Sequence, residues 1–245
     1  MSKLVATLAC RNNSRRLYAK PLQLMGSESV IEYMIRNLKK HSAIDEIVLA
    51  ISNLKGNEMY ADIAEKHGIQ YIFGDDTDVL GRLITACEKG GGDMVFRVTT
   101  ESPFTYLEGL ENALLSHKEK KADYTTIAQL PDGVAFELLS LQALKDSHEK
   151  GEARHRSELC SLYLNEHRAG YVFNILDIEK ELQRPDYRLT IDYPEDLILC
   201  RKIIDHFGDR EPISYKDLIQ FMDQHPAILS IVNNLTDASY VRFYH

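Results

Sequence analysis

The chain has few cysteines, no long apolar run and neither of two common glycine motifs for nucleotide binding. Its four cysteines are widely spaced and form no Cys-x-x-Cys pair, which argues against a zinc site and favours reduced thiols in the cytoplasm. No apolar run approaches the ~20 residues that a membrane span needs, and the first residues do not resemble a secretory signal. No GxGxxG follows the first apolar run and GxxxxGK[ST] is absent, which disfavours a dinucleotide dehydrogenase or a P-loop kinase.

Positive charge is in the minority but is locally concentrated. The 245 residues contain 29 Lys and Arg against 37 Asp and Glu, a net charge of −8, which argues against broad binding to nucleic acid or anionic membranes. Four of the cations nevertheless fall within ten residues, directly after the apolar run 4–9: Arg11, Arg15, Arg16 and Lys20. A Ser- and cation-bearing loop after a strand is where an α/β sheet binds phosphate, although a solvated basic loop is the alternative.

The hydrophobic pattern alternates between strand and helix periods. It predicts strands over 4–9, 47–52, 70–73, 94–99 and 123–128, with helices over 29–40, 57–67, 77–88 and 107–118. Strands separated by helices of this length predict a mainly parallel sheet with helices on both faces. The fold class is therefore α/β, as one three-layer α/β/α domain over residues 1–245.

Residues 131–175 interrupt this alternation. We expect a strand over 134–140, a helix over 141–148 and a strand over 171–175, in a segment that leaves the sheet as a small arm for dimerisation or acceptor binding. After it, the pattern predicts a strand over 189–192 and helices over 194–207 and 214–225.

Two carboxylates follow predicted strands and are candidates for the same edge of the sheet. Glu101 follows the strand that ends near residue 98, and Asp192 precedes a helix that starts at Pro194. Glu195 and Asp196 in the first turn of that helix are better explained as helix caps. Two carboxylates opposite four cations is an arrangement suited to a Mg²⁺-triphosphate, because oxygen ligands hold the hard metal and cations hold the phosphates.

These motifs resemble those of the cytidylyltransferase family that includes the enzymes activating Kdo and sialic acids, and most of all its spore-coat polysaccharide branch. That branch carries R-x-G-S-x-R-L-P-x-K, which Arg11, Ser14, Arg16, Leu17 and Lys20 match. Further collinear matches cover nearly the whole chain: Asp78–Arg82 (D-V-L-x-R), Arg97–Pro103 (R-x-T-G-D-x-P), Pro131–Glu137 (P-x-G-x-x-x-E) and Leu189–Asp196 (L-T-x-D-x-P-E-D).

The resemblance implies a nucleotide-diphospho-sugar transferase-like fold, a homodimer, and transfer of CMP from CTP to a small anionic acceptor with Mg²⁺ as cofactor. It implies catalytic roles for Lys20, Arg11 and Arg16, with Lys20 at the α-phosphate. The other implied nucleotide-binding residues are Ala9, Asn13, Ser14, Asp78, Arg82 and Thr99. The implied acceptor-binding residues are Arg97, Glu137, Arg154, His155 and Arg156. The implied metal ligands are Glu101 and Asp192.

Several positions depart from the family pattern. Asn13 and Thr100 replace glycines, Tyr18 and Ala19 replace Pro-Gly, and Glu101 replaces Asp. Ala135 and the basic segment 154–156 occupy positions that face the acceptor in relatives, so we expect an unusual acceptor. Two alternatives stay open: a non-catalytic nucleotide-binding homologue, and a nucleotidyltransferase that uses another nucleoside triphosphate.

Overall fold

A computed structural model describes residues 2–233 and residue 235. The strands are β1 (Leu4–Cys10), β2 (Leu24–Met25), β3 (Glu28–Ser29), β4 (Glu46–Ser52), β5 (Gln70–Gly74), β6 (Met94–Arg97), β7 (Tyr124–Ile127), β8 (Glu137–Ser140) and β9 (Phe173–Leu176). The helices are α1 (Val30–Lys39), α2 (Met59–His67), α3 (Val79–Lys89), α4 (Leu110–Lys120), α5 (Leu141–Lys150), α6 (Leu162–Glu166), α7 (Pro194–Phe207), α8 (Tyr215–Gln224) and α9 (Pro226–Leu229).

The main sheet of the described residues has seven strands in the order β5-β4-β1-β6-β8-β7-β9. Strand β8 is antiparallel to both of its neighbours, and the other strand pairs of this sheet are parallel, whereas β2 and β3 form a separate antiparallel pair. The carboxyl ends of β1 and β6 are therefore adjacent at one edge, which brings the loops after residues 10 and 97 together.

Helices cover both faces of this sheet, as the sequence pattern predicts. Side chains of β1 alternate between two apolar clusters, with Leu4, Ala6 and Leu8 in one and Val5 in the other. The first cluster includes α1, α2, α4, α7 and α8, and the second includes α3, α5 and α6. Among the described residues, no helix is both long enough and apolar enough to cross a membrane.

Local capping explains where several helices begin. Ser29 accepts a hydrogen bond from the backbone N–H of Glu32, whose carboxylate in turn accepts from the Ser29 N–H, and α1 starts between them. Asp78 accepts from the N–H of Gly81 at the start of α3. Gly68 ends α2 in the left-handed conformation that glycine adopts most easily.

The strand predicted over 189–192 is wrong. This segment makes only an isolated bridge between Arg188 and Asp132 and does not join the sheet. Its backbone hydrogen bonds go instead to two loops, from Leu189 N to Asp132 O and from Ile191 N to Glu101 O, both at 2.8 Å. These two bonds hold the segment against the loops at the edge of the sheet, which places Asp192 beside the loop after β6.

The segment 131–175 is only partly an excursion from the sheet. The predicted strand over 134–140 is shorter in the structure, and β8 lies between β6 and β7 in the sheet interior. Strand β9 pairs with β7 at the sheet edge, so residues 141–172, with α5 and α6, lie outside the sheet. Its role in dimerisation stays a prediction.

Candidate active site

A cleft of about 770 Å³ opens at the sheet edge where β1 and β6 end. Loops after these strands, the start of α3, the turn before β8 and the segment 188–192 form its walls. Of the residues implied by the sequence resemblance, the cleft is lined by Ala9, Arg11, Asn13, Ser14, Arg16, Lys20, Arg82, Arg97, Thr99, Glu101, Glu137 and Asp192.

The basic loop after β1 is held in shape by a buried asparagine that sequence reasoning missed. The carbonyl oxygen of Asn12 accepts hydrogen bonds from the N–H groups of Ser14 (2.8 Å) and Ala19 (2.9 Å). Its own N–H donates to the side chain of Asn57 at 2.9 Å, which ties the loop to the start of α2. The loop cations therefore extend from an ordered base, which suits a fixed triphosphate site.

Two departures from the family pattern have different structural consequences. Ala19, where relatives have glycine, adopts φ 49°, a left-handed conformation that costs an alanine about 1 kcal/mol. Asn13, which also replaces a glycine, is not among the described residues with positive φ, so its backbone conformation does not require a glycine.

Three cations of the cleft converge on Asp192. One of its carboxylate oxygens lies 2.5 Å from Lys20 Nζ and 2.7 Å from Arg16 Nη2, and the other lies 3.2 Å from Arg188 Nη2. Burial by itself would raise the pKa of Asp192, but the charges of Lys20, Arg16 and Arg188 bring it below the ordinary value. Asp192 is therefore an anionic centre whose cations could be shared with incoming phosphates.

Arg188 is a buried residue that positions Asp192 and that motif comparison did not single out. Its guanidinium binds Asp196 through Nε (2.8 Å) and Nη2 (3.0 Å) and binds Asp132 through Nη1 (2.7 Å). Burial lowers the pKa of Arg188, yet the hydrogen bonds and charges of these carboxylates raise it above its usual value. In the sequence, the signal was an arginine four residues before Asp192. This spacing gains a meaning only in the folded chain, where the segment folds back and Arg188 contacts the Asp192 carboxylate.

Asp196 has the structural role expected of it. It is 1% exposed, and its carboxylate accepts the N–H groups of Asp192 and Tyr193, both at 2.8 Å. These contacts fix the start of α7 and, with it, the backbone of Asp192.

Glu101 lies across from Asp192, and the two segments are joined by the hydrogen bond from Ile191 N to Glu101 O. Burial is the main cause of a raised Glu101 pKa, which the charge of Asp192 raises further although Lys20 opposes it. Within residues 2–233 and 235, no hydrogen bond to the Glu101 carboxylate is formed. Glu101 and Asp192 therefore offer two carboxylates in one cleft, and oxygen ligands of this kind fit Mg²⁺ held together with substrate phosphates.

A second cluster of charged side chains, separate from the one around Asp192, lies at the β8 side of the cleft. Arg97 Nη1 forms a buried ion pair with Glu137, whose other oxygen accepts from Ser161 Oγ at 2.6 Å. Arg97 Nη2 donates to the backbone carbonyl of Glu158 at 2.6 Å, while the Glu158 carboxylate lies 3.1 Å from Arg11 Nη2. Glu158, also missed in the sequence, thus links the basic loop to the β6–β8 side.

The base of the cleft beside α3 is formed by Arg82, which is 3% exposed. Its Nη1 donates to the carbonyl of Ala50 at 2.6 Å, and burial lowers its pKa. Above it, the Thr99 and Ser102 hydroxyls lie 2.7 Å apart, and Thr100 Oγ1 donates to Ala9 O at 3.1 Å.

Four of the implied site residues do not line the cleft. Asp78 caps α3 and lies 2.6 Å from His148 Nε2. Arg154 forms a double contact with Glu166, and the buried His155 lies between Glu152 N and the same Glu166 carboxylate. Arg156 donates to the carbonyl of His148 at 3.2 Å. The Arg156 bond joins this segment to α5, and the bonds of Arg154 and His155 lie within residues 152–166.

Gly133 lies in the wall of the cleft, where the backbone of residues 132–133 packs closely against Thr190. It has φ +83°, and a Cβ there would lie 2.4 Å from Thr190 N and 2.5 Å from its Cα. Only glycine allows residues 132–133 to approach the segment 188–192 this closely.

Comparison with known proteins gives one family. The family model described as Cytidylyltransferase matches residues 5–229. The spore coat polysaccharide biosynthesis protein SpsF of Bacillus subtilis (strain 168) is 25% identical over 239 residues, covering 92% of this chain and 96% of that protein.

Solved structures share the fold. A cytidylyltransferase from Leptospira borgpetersenii serovar Hardjo-bovis (strain JB197) superposes with a TM-score of 0.85 at 22% identity, covering 94% of this chain and 97% of the other. A CMP:2-keto-3-deoxy-manno-octonic acid synthetase complexed with CTP has a TM-score of 0.66 at 14% identity, covering 84% and 100%.

Proposed function

The chain belongs to the cytidylyltransferase family of nucleotidyltransferases, and from this membership we propose that it transfers CMP from CTP to an acidic sugar, sugar phosphate or phosphonate acceptor and releases pyrophosphate. The observation that carries the proposal is the convergence of Lys20 and Arg16 on Asp192 inside the cleft. The cation-rich loop and the carboxylate are the two components that a metal-bound triphosphate requires.

The chemistry needs positioning and charge neutralisation more than covalent catalysis. Arg11, Arg16 and Ser14 would hold the triphosphate, and Lys20 would stabilise charge on the α-phosphate. An acceptor oxygen attacks the α-phosphorus, and the bond from that phosphorus to the α–β bridging oxygen breaks, so the leaving group is pyrophosphate. A hydroxyl acceptor also gives up its proton, whereas a phosphate or phosphonate acceptor attacks as an anion.

Mg²⁺ would be held by Asp192 and Glu101 together with phosphate oxygens and would supply further neutralisation of the triphosphate. Asp192 would then exchange part of its contact with Lys20 and Arg16 for the ion, and those cations would turn to the phosphates.

The product would be a CMP- or CDP-linked precursor for a surface glycan or a phosphonate. The similarity to SpsF supports the glycan assignment. We propose that the enzyme acts in the cytoplasm, where its four buried free cysteines would stay reduced.

Calorimetric titration with ATP, CTP, GTP and UTP, each with and without Mg²⁺, tests the donor. We expect Mg²⁺-dependent binding that is selective for CTP. Selective binding of another triphosphate would change the donor, and binding of none would contradict the proposal.

Replacement of Lys20 tests the site. We expect Lys20→Ala to lower the rate of CTP-dependent pyrophosphate release at least ~10²-fold, the effect of removing one preorganised charge from a reaction centre. Lys118→Ala, an exposed lysine on α4, is the matched control and should leave the rate unchanged. An undiminished rate in Lys20→Ala would contradict this assignment.

A further inference from the structure

Glu158 faces the cleft from the segment before α6. Its carboxylate is 69% exposed and pairs with Arg11, while its backbone carbonyl is fixed by Arg97. Its backbone is thus anchored on the β6–β8 side, and its side chain reaches the basic loop. Arg11 belongs to the loop that would hold the triphosphate. The Glu158 carboxylate and the nucleotide phosphates would therefore compete for the same guanidinium.

The cleft beyond the basic loop is not built for a second anionic group. Between β6, β8 and the segment 188–192, two arginines face three carboxylates: Arg97 and Arg188 against Asp132, Glu137 and Glu158. Both arginine side chains are at most 10% exposed, and each is already bound to carboxylates. An acidic substituent placed here would compete with buried carboxylates for arginines that are already paired, which is unfavourable.

The remaining lining of this part of the cleft is neutral. It includes the apolar Ala135, Phe136 and Leu159 and the hydroxyl of Thr190. When a triphosphate takes Arg11, the exposed Glu158 carboxylate loses that partner while its backbone stays fixed by Arg97. An unpaired carboxylate beside a neutral wall binds hydrogen-bond donors.

We propose that Glu158 is the acceptor-binding carboxylate of this enzyme: it pairs with Arg11 until CTP binds and then accepts hydrogen bonds from hydroxyl or ammonium groups on the acceptor. The inference rests on the proposed function. It implies that CTP binds before the acceptor. It also implies that the part of the acceptor remote from the reacting oxygen carries hydroxyl or amino groups and no second acidic group. The sequence-based expectation that Arg154 and Arg156 bind acidic groups there has no geometric counterpart, because neither lines the cleft.

A double-mutant cycle tests the link between Glu158 and Arg11. CTP binding with Mg²⁺ is measured by calorimetry for the natural protein, Glu158→Gln, Arg11→Gln and the double variant. Because an exposed ion pair competes only weakly, Glu158→Gln should tighten CTP binding roughly two- to five-fold. The same substitution in the Arg11→Gln background should change it less than about 1.5-fold. The matched control is Glu149→Gln, an exposed glutamate outside the cleft, which should have no effect.

Equal tightening with and without Arg11 would show a general charge effect and would overturn the link. Weaker CTP binding in Glu158→Gln would overturn it as well, because Glu158 would then assist the nucleotide.

Saturation-transfer NMR tests the acceptor chemistry with the 1-phosphates of three sugars of similar size, so that every probe carries one reacting anion: glucose, glucosamine and glucuronic acid. With CTP and Mg²⁺ present, the glucose and glucosamine probes should give signals that exceed those of the glucuronic acid probe. These signals should fall without CTP and in Glu158→Gln. A strongest signal from glucuronic acid, signals that do not depend on CTP or on Glu158, or no CTP-dependent signal at all would overturn the acceptor assignment.

The natural protein's own CTP titration separates the two levels of failure. If it binds no CTP, the proposed function fails. If it binds CTP with Mg²⁺ but the cycle and the probes give the contrary results, only the role of Glu158 fails.

Discussion

Removal of Arg188 should destabilise the protein more than the loss of any exposed ion pair. Its guanidinium is almost fully buried and makes two of its contacts with Asp196, which is itself 1% exposed. In Arg188→Met the Asp196 carboxylate would keep only the N–H groups of Asp192 and Tyr193. Loss of one partner from a buried ion pair costs about 3–5 kcal/mol because the remaining charge stays buried without compensation.

For a chain of this length, that loss corresponds to a fall in melting temperature of roughly 6–20 °C. Thermal unfolding followed by circular dichroism at pH 7 measures it. Lys150→Met is the control, because the pair of Lys150 with Asp146 lies at the surface and such pairs contribute little to stability.

A second variant separates lost charge from lost packing. In Arg188→Met/Asp196→Asn the buried carboxylate is neutral, so we expect part of the stability to return relative to Arg188→Met alone. A melting temperature for Arg188→Met that falls no further than that of Lys150→Met would refute the reasoning. The reasoning would also be refuted if the double variant lost more stability than Arg188→Met and Asp196→Asn lose in total when each is made alone.

Three further predictions follow from other parts of the structure. Gly133→Ala should lower the unfolding free energy by at least about 1–2 kcal/mol in urea titration, because it combines φ +83° with a clash against the Thr190 backbone; unchanged stability would contradict that contact. Burial raises the pKa of Glu32, but hydrogen bonds with Lys66 and Ser29 lower it overall to about 2. The stability that Glu32 contributes is therefore complete above its unfolded pKa and lost as pH falls from about 4.5 towards 2, so Glu32→Gln should flatten melting temperature against pH in that window, and parallel curves would count against it. All four cysteines are buried and free, so a thiol reagent such as Ellman's should label none in the folded protein and four after denaturation; fast labelling before denaturation would contradict their burial.

Sequence periodicity was sufficient for most of the fold. Apolar runs such as 47–52, bounded by polar turns and separated by amphipathic stretches, favour buried parallel strands, and β4 spans Glu46–Ser52. The prediction failed at 189–192, where an equally strand-like pattern makes its hydrogen bonds with two loops. Short segments of this kind are decided by which backbone groups lie opposite them, and that depends on distant parts of the chain.

Local sequence motifs also identified many of the residues that line the candidate site. The spacing of Arg11, Arg16 and Lys20 after a strand is a property of the chain alone, and it placed these residues at the carboxyl edge of the sheet. Only the tertiary structure shows that Arg16, Lys20 and Arg188 meet at Asp192, since the first two are more than 170 residues away from it in sequence.

For the proposed acceptor-binding residues, the sequence alone was a poorer guide than it was for the basic loop. By sequence, Arg154 and Arg156 were suitable cations for an acceptor, and Glu158 was one more surface glutamate. Folding commits Arg154 to Glu166 and turns Glu158 towards Arg11. The sequence by itself determined which charges the chain carries and which strand each follows. Which charges neutralise one another, and so which stay available to a ligand, was decided only when segments distant in sequence packed together, because an ion pair depends on distance in space.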